Sequence, residues 1–454
     1  VPFTSVNPTT GEAYATFAPA TPHEIDATLK QAESAFHDWR QRSFPDRAAL
    51  MVRVAELLEG EVPVVAQMMT AEMGKTFAAA KGEVVKCAMA LRYYAEHAEE
   101  LLATQPVATS ASRSGVRYQP LGAVLAIMPW NFPLWQVIRF AAPNLMAGNV
   151  GILKHAPNVP TTAGFLGELF RRAGCPDGVF TNLYAEVDDV ATMISDARVA
   201  AVTLTGSERA GRAVAAIAGA QLKKCVMELG GSDAFVVASS ADLAHTVPLA
   251  VTARVQNNGQ SCIAAKRFVV VRERADEFTQ QFAAAMAAAT IGDPMDNATI
   301  VGPLVSDVQR KLLDEQVRDG VHHGARALTG GTPMAGAGFF YPPTVLVDVP
   351  TSSRAGGEEL FGPVAVVRVA EDLAHAMHIA NETPWGLGGS IWATDESEID
   401  YALAHLDAGM VFANAVVASQ PELPFGGVKN SGFGRELGEL GIKEFTNSKS
   451  FFVA

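Results

Sequence analysis

The stretch Tyr118–Ile138, YQPLGAVLAIMPWNFPLWQVI, carries no charged residue from end to end. An uncharged run of this length is long enough to cross a bilayer as a helix. Pro120, Pro129 and Pro133 break it, however, and Asn131 would stand in hydrocarbon. It therefore reads as a buried β-strand, Ala123–Met128, followed by a loop able to carry catalysis. Outward from this strand, further apolar runs occur at Val150–Lys154, Ala200–Thr205 and Cys225–Leu229, separated by helix-like stretches. Strands alternating with helix-length segments are the pattern of βαβ units and a parallel sheet. A second alternating set follows Gly231, with strands expected at Ala234–Val237, Phe268–Val271 and Val364–Val369. The fold class is α/β, with two α/β domains.

On the N-terminal side, Thr21-Pro22-His23-Glu24 has the form of a capping box with proline at the first helical position. Behind it Ile25, Leu29, Ala32, Phe36 and Trp39 recur at spacings of three and four, the apolar stripe of an amphipathic helix. Helical pattern continues from about Asp46 to Leu102, and Gly330–Gly338 reads as a surface loop.

A chain of 454 residues exceeds one small core, and 49% hydrophobic against 18% charged residues is a globular balance that leaves material for buried sheets. The formal net charge of −13 argues against nonspecific binding to nucleic acid or to an anionic membrane. The cysteines at 87, 175, 225 and 262 lack the close pairing of a zinc site or redox motif. So few thiols in so large a chain fit a reducing cytoplasm. No charged segment followed by an apolar one opens the sequence, so no secretory signal is expected; Val1 in place of methionine suggests that a few native residues precede it.

Four short strings carry chemistry. Gly259-Gln260-Ser261-Cys262 puts a thiol after a polar turn, where a field favouring the thiolate would make it a nucleophile. Pro129-Trp130-Asn131-Phe132-Pro133 holds an amide between two prolines, and a rigid amide donor is what an oxyanion requires. Val226-Met227-Glu228-Leu229-Gly230-Gly231 ends a strand in a carboxylate; its apolar setting should make it hard to ionise and able to act as a general base. Thr205-Gly206-Ser207-Glu208-Arg209-Ala210-Gly211 turns from strand into helix, where backbone N–H groups can meet a phosphate. Gly432-Phe433-Gly434 lacks the third glycine of a dinucleotide fingerprint and reads as a turn. The His322-His323 and His375/His378 pairs have no accompanying ligands, so no metal is expected.

In this order the strings resemble the aldehyde dehydrogenase superfamily, from Asn7-Pro8-Thr9-Thr10-Gly11-Glu12 to Glu444-Phe445. Glu359-Leu360-Phe361-Gly362-Pro363 and Pro424-Phe425-Gly426-Gly427 complete the resemblance. It implies Cys262 as nucleophile, Asn131 as oxyanion donor and Glu228 as the deacylation base. It implies NADP or NAD as cofactor, with Gly206, Ser207 and Gly211 at the pyrophosphate, Trp130 and Lys154 at the adenosine ribose, and Glu359 with Phe361 at the nicotinamide ribose. The implied architecture is a Rossmann-like cofactor domain (1–107 and 121–229), a catalytic domain (230–432) and a small β oligomerisation arm (108–120 and 433–454), giving a homodimer or homotetramer.

Within the superfamily, Leu153-Lys154-His155-Ala156 and Gln256-Asn257-Asn258-Gly259-Gln260-Ser261-Cys262 resemble the bacterial succinate-semialdehyde dehydrogenase branch. That implies a short aldehyde with a distal carboxylate, bound by Arg139 and Ser419, with Trp135 and Phe425 as tunnel walls. Pro157 stands where many NAD-using relatives carry a glutamate for the ribose hydroxyls, which implies a preference for NADP. Ala264 replaces a second cysteine found in some members, so their redox switch is not expected. A CoA-acylating variant is the alternative within the fold; Glu228 argues against it.

Overall fold

The computed structural model describes residues 2–454. Its first sheet has six strands, in the order Gly432–Phe433, Lys224–Glu228, Val199–Thr205, Ala123–Met128, Val150–His155 and Phe180–Asn182. Neighbours are parallel except Gly432–Phe433, which runs antiparallel to Lys224–Glu228. Ala123–Met128 comes first along the chain and lies inside the sheet. Successive crossovers fill one side of it and then return to the other. The reversal falls between Ala123–Met128 and Val199–Thr205, and open parallel sheets bind ligands outside the carboxyl ends of the strands at such a point. The loops beginning at Pro129 and at Gly206 leave from those two ends.

The apolar runs became strands because both faces of this sheet are covered. Val124, Leu125, Ile152 and Val202 are fully buried. Pro22–Trp39 opens on the expected capping box, with Thr21 and Glu24 bonded reciprocally. The helical region beyond it divides into Phe44–Gly60, Val62–Met73 and Phe77–Leu101. The last of these packs against Trp135–Met146, the helix that follows the Pro129–Pro133 loop.

The second sheet has seven strands, ordered Arg326–Thr329, Thr344–Val347, Val364–Ala370, Arg267–Val271, Ala234–Val237, Gly388–Trp392 and Met410–Ala413. Only the first pair is antiparallel. Phe235, Phe268, Phe278, Phe282 and Trp392 fill one of its faces.

A three-stranded antiparallel arm stands apart from both sheets, with Arg113–Pro120 between Gln105–Pro106 and Thr446–Val453. The expected C-terminal limit of the arm needs correction. Phe433 pairs with Met227 in the first sheet, and Leu437, Ile442 and Phe445 are buried in that domain's core. The arm's return strand therefore begins only at Thr446, and its other edge includes Gln105–Pro106 rather than starting at 108. Among the described residues no helix is long and apolar enough to cross a membrane. Ala123–Met128 is a sheet strand, as the prolines around it required.

Candidate active site

Cys262 is delivered by a backbone of unusual hand. Asn257, Asn258 and Gly259 are consecutive left-handed residues, with φ of 52°, 58° and 75°. Asparagine tolerates this region better than other side-chain-bearing residues, and glycine occupies it freely. At Gly259 a Cβ would also lie 2.3 Å from the Gly362 carbonyl carbon. Side-chain amides then fasten the turn. Asn257 Nδ2 donates to the carbonyls of Asn131 (2.8 Å) and Gln260 (2.9 Å), and Asn258 Nδ2 donates to those of Gly74 and Pro303. The fully buried Arg254 donates to the carbonyls of Gly259 and Val364.

Asn131 comes from the other domain and meets this turn directly. Its Nδ2 donates to the Gln260 carbonyl at 3.0 Å, which leaves the second amide hydrogen for an oxyanion. Gln136 Nε2 donates to Asn131 Oδ1 at 3.1 Å and fixes which way the amide points. The backbone N–H of Cys262 has no protein acceptor among the described residues. The loop itself is anchored twice. Buried Glu83 accepts from the N–H groups of Leu134 (2.9 Å) and Trp135 (2.8 Å) while pairing with Lys75, and His155 Nε2 bonds the Pro133 carbonyl at 2.8 Å. Burial holds His155 down at about 4, so it is neutral, with Nδ1 accepting from Ala156 N–H.

Two cavities meet at Cys262. One, of about 270 Å³, is lined by Trp130, Asn131, Gly206, Ser207, Glu359 and Phe361 among others. The other, of about 150 Å³, is lined by Lys86, Trp135, Arg139, Ser419 and Phe425 among others. Only Cys262 and Gln136 belong to both walls. Five of the seven candidate cofactor residues, Trp130, Gly206, Ser207, Glu359 and Phe361, thus line one chamber and the candidate substrate residues the other, on one thiol.

In the larger chamber, Ser207 caps the helix Glu208–Ala220, and Trp130 meets Phe361 edge-on at 5.7 Å between centroids. Glu359 Oε1 accepts from the Gly231 N–H (3.1 Å) and from Lys266 (3.2 Å), whose ammonium also bonds the Ser261 and Cys262 carbonyls. One lysine therefore ties the Glu359 carboxylate to the backbone of Cys262, the candidate nucleophile. Gly230 makes room for Glu359, since a Cβ there would lie 2.6 Å from Oε2. Gly211 is placed differently from expectation. It lies inside the helix, outside the larger chamber's lining, where a Cβ would strike Leu229 at 2.5 Å, so its smallness serves helix–strand packing. Lys154 also lies outside the lining, at the end of its strand, buried and without a carboxylate partner among the described residues.

Burial pushes the Cys262 thiol up to about 12, against the opposing charges of Lys266 and Arg139. The field favouring a thiolate that the sequence suggested is present but does not prevail in the free protein. Glu228 is buried too. Desolvation first, and then the charge of Glu436, hold its carboxyl well above the usual carboxylate range. Neither of its oxygens has a hydrogen-bond partner, and it lines neither chamber.

The smaller chamber's wall includes all four expected substrate residues, Trp135, Arg139, Ser419 and Phe425. Arg139 reaches its wall, but the guanidinium is paired with buried Glu436 at 2.5 Å, lies 4.4 Å from the Phe425 ring centroid and donates to Thr205. Arg139 thus has an acid of this chain, Glu436, against it. Ser419 is bonded instead by Lys86 Nζ at 2.7 Å and Trp135 Nε1 at 3.0 Å. Lys86, Gln136, Lys266 and Glu83 are not apparent from the sequence because nothing local marks them. Only Gln136, five residues beyond Asn131 on the following helix, carries a positional hint.

Residues 2–451 match the aldehyde dehydrogenase family. An NADP-dependent succinate-semialdehyde dehydrogenase of Mycobacterium tuberculosis H37Rv is 52% identical, with all of both chains covered. One of Mycobacterium avium is 51% identical over all of this chain and 97% of the relative. Among solved structures, the succinic semialdehyde dehydrogenase of Streptococcus pyogenes in complex with NADP+ superposes with a TM-score of 0.97 at 36% identity, covering 99% of each chain. With a left-handed turn presenting a cysteine to an amide donor at the switch point of a parallel sheet, and a match along nearly its whole length, the chain belongs to the aldehyde dehydrogenase family.

Proposed function

We propose that the protein oxidises succinate semialdehyde, or a similarly short aldehyde with a distal carboxylate, to the acid, with NADP as hydride acceptor. The observation that carries this reading is the pair of chambers sharing Cys262, one lined by Trp130, Gly206, Ser207, Glu359 and Phe361 and one by cationic and hydroxyl groups. The NADP-dependent relatives and the NADP+ complex support it.

The larger chamber suits the nicotinamide end of a dinucleotide. Glu359 presents a fixed acceptor for ribose hydroxyls, Gly206 and Ser207 open a helix, and Trp130 and Phe361 offer apolar walls. Lys154, free of any carboxylate partner, would hold a 2′-phosphate, and Pro157 adds no acid to repel it. When bound, the nicotinamide ring accepts the hydride lost by the aldehyde carbon.

The chain's own residues perform the remaining steps. The Cys262 sulfur gives its proton to water and bonds to the aldehyde carbon, and the C=O π pair passes to the oxygen, which becomes an oxyanion. Asn131 Nδ2 and the Cys262 N–H donate to that oxygen. Oxidation leaves a thioester on Cys262. Glu228, after giving up its proton and moving toward the chamber, takes a proton from water as that water adds to the thioester; the C–S bond breaks and releases acid and thiolate. The free cysteines support a reducing compartment, the cytoplasm. The arm Thr446–Val453 and Arg113–Pro120, with edge backbone open to a neighbour, supports a homodimer or homotetramer.

The test is initial-rate kinetics without CoA, following the reduced nicotinamide, with succinate semialdehyde and butanal and with each cofactor. A higher kcat/KM for the semialdehyde and for NADP is expected. Preference for butanal, or a clear preference for NAD, would overturn the substrate or the cofactor assignment respectively.

A further inference from the structure

Lys266 lines neither chamber, and its side chain is 1% exposed, so a molecule in either chamber does not touch it. It stands one residue before the strand Arg267–Val271. Its N–H donates to the Asp233 carbonyl (3.0 Å) and its carbonyl accepts from Val366 N–H (2.9 Å), so the chain on both sides fixes its backbone. At the other end of the side chain, the nitrogen meets three acceptors: the carbonyls of Ser261 and Cys262, and Glu359 Oε1 at 3.2 Å. None of the three can donate in return. The nitrogen is therefore an ammonium with all three protons in use.

The two groups that end on this ammonium serve different halves of the site. Glu359 is part of the larger chamber's wall. Its Oε1 is held by Lys266 and by Gly231 N–H, whereas Oε2 accepts from none of the described residues. A carboxylate anchored through one oxygen offers the other in a fixed direction. Cys262, for its part, faces four charges. Lys266 first, and then Arg139, oppose the burial of the thiol, while Glu359 and Asp233 add to its effect. Arg139 has Glu436 against it. Lys266 and Glu359 thus act on the thiol with opposite signs, and their ion pair sets one against the other.

We propose that Lys266 is a positioning residue that couples the two halves of the site: one ammonium holds Cys262 by its backbone and aims the free oxygen of Glu359 at the cofactor ribose. The inference rests on the roles proposed above for Cys262 and Glu359 and adds the residue through which each feels the other. Methionine at this position would fill the space but give up the charge and all three hydrogen bonds. Arginine would keep the charge and a fork of donors. Lys266 without Glu359 favours the thiolate, and Glu359 without Lys266 disfavours it.

The experiment measures the rate at which iodoacetamide alkylates Cys262, located by peptide mass spectrometry, without cofactor and at about pH 8, where little of the thiol is ionised. NADP+ binding is followed by calorimetry. The proteins are the wild type, Lys266→Met, Lys266→Arg, Glu359→Gln and the double variant Lys266→Met/Glu359→Gln. A charge close by moves a thiol by about 1–3 pH units, and the weaker nucleophilicity of a more acidic thiol offsets about half of this, leaving about 3- to 30-fold in rate. Lys266→Met should slow alkylation by about that factor, Lys266→Arg should restore it in part, and Glu359→Gln should speed it. Lys266→Met should also weaken NADP+ binding about tenfold. It should add little to the loss already present in Glu359→Gln, because Lys266 acts on the cofactor only through that carboxylate. A residue that merely held the fold would, when removed, loosen the turn and expose the thiol, and alkylation would rise. If folded Lys266→Met is alkylated as fast as the wild type or faster, the proposal is overturned. Should that variant not fold, Glu359→Gln alkylated no faster than the wild type overturns it. Fully additive losses of NADP+ affinity in the double variant overturn the coupling to the cofactor. A wild type that is alkylated at Cys262 yet binds no NADP+ defeats the cofactor assignment itself.

Discussion

Glu228, the base proposed for deacylation, rests in its acid form. Its carboxyl is buried with both oxygens unpartnered, and Glu436 stands as a second acid against it. A group held this way is protonated well above the ordinary carboxylate range, so the competent base is present at high pH and lost as pH falls through the raised value. Turnover limited by deacylation should fall on that acidic limb. Glu436→Gln removes the charge that raises Glu228 and frees Arg139 to lower it, so the limb should move to lower pH; an unmoved limb would assign it to another group. Glu228→Gln should pass one hydride per site and then stop, leaving an acyl adduct of Cys262 visible by intact-mass spectrometry. Undiminished steady-state turnover in that variant would remove Glu228 from the mechanism. The apolar, strand-terminal setting of Glu228 was legible in the sequence; the presence of Glu436 was not, because the two are far apart along the chain.

At the scale of elements, the catalytic loop depends on a helix that contributes nothing to bond making. Glu83 on Phe77–Leu101 caps the helix Trp135–Met146 and so fixes the point from which Asn131, Gln136 and Trp135 are projected. Removing one partner of a buried ion pair costs about 3–5 kcal/mol because the other is left charged and unsolvated. Glu83→Ala should therefore lower stability by about that amount in denaturant titrations, and the surviving enzyme should lose kcat as Asn131 loses its orientation. Full activity with full stability would mean that Lys75 and the prolines hold the loop unaided. The seven strands expected from the sequence match the observed ones to within a residue because each is an apolar run bounded by turn residues. The site's own residues divide along the same line. Cys262, Asn131 and Glu228 sit in compact strings with unusual local chemistry. Lys86, Lys266 and Gln136 are ordinary helix or loop residues, and only the crossing of distant elements makes them part of a site.

At the scale of the whole molecule, the second sheet was half visible. Gly388–Trp392 and Met410–Ala413 are short, glycine-containing or polar-flanked strands, stabilised by neighbours already in place rather than by their own pattern. The tail was assigned to the arm too early for a related reason: Leu437, Ile442 and Phe445 show where they belong only once the first core exists to receive them. The strand that does form the arm, Thr446–Val453, has one unpaired edge and an exposed Phe452. Exposed strand edges are templates for another chain. Deleting 446–454 should shift the protein to a smaller species in light scattering, whereas an unchanged mass would place the subunit contact elsewhere. The separation of the two chambers bears on substitution as well as recognition. Apart from Cys262 and Gln136, a molecule in one chamber covers none of the wall of the other. An occupant of one chamber therefore leaves the wall of the other uncovered up to the thiol itself, so the two halves of the site can be altered by substitution one at a time.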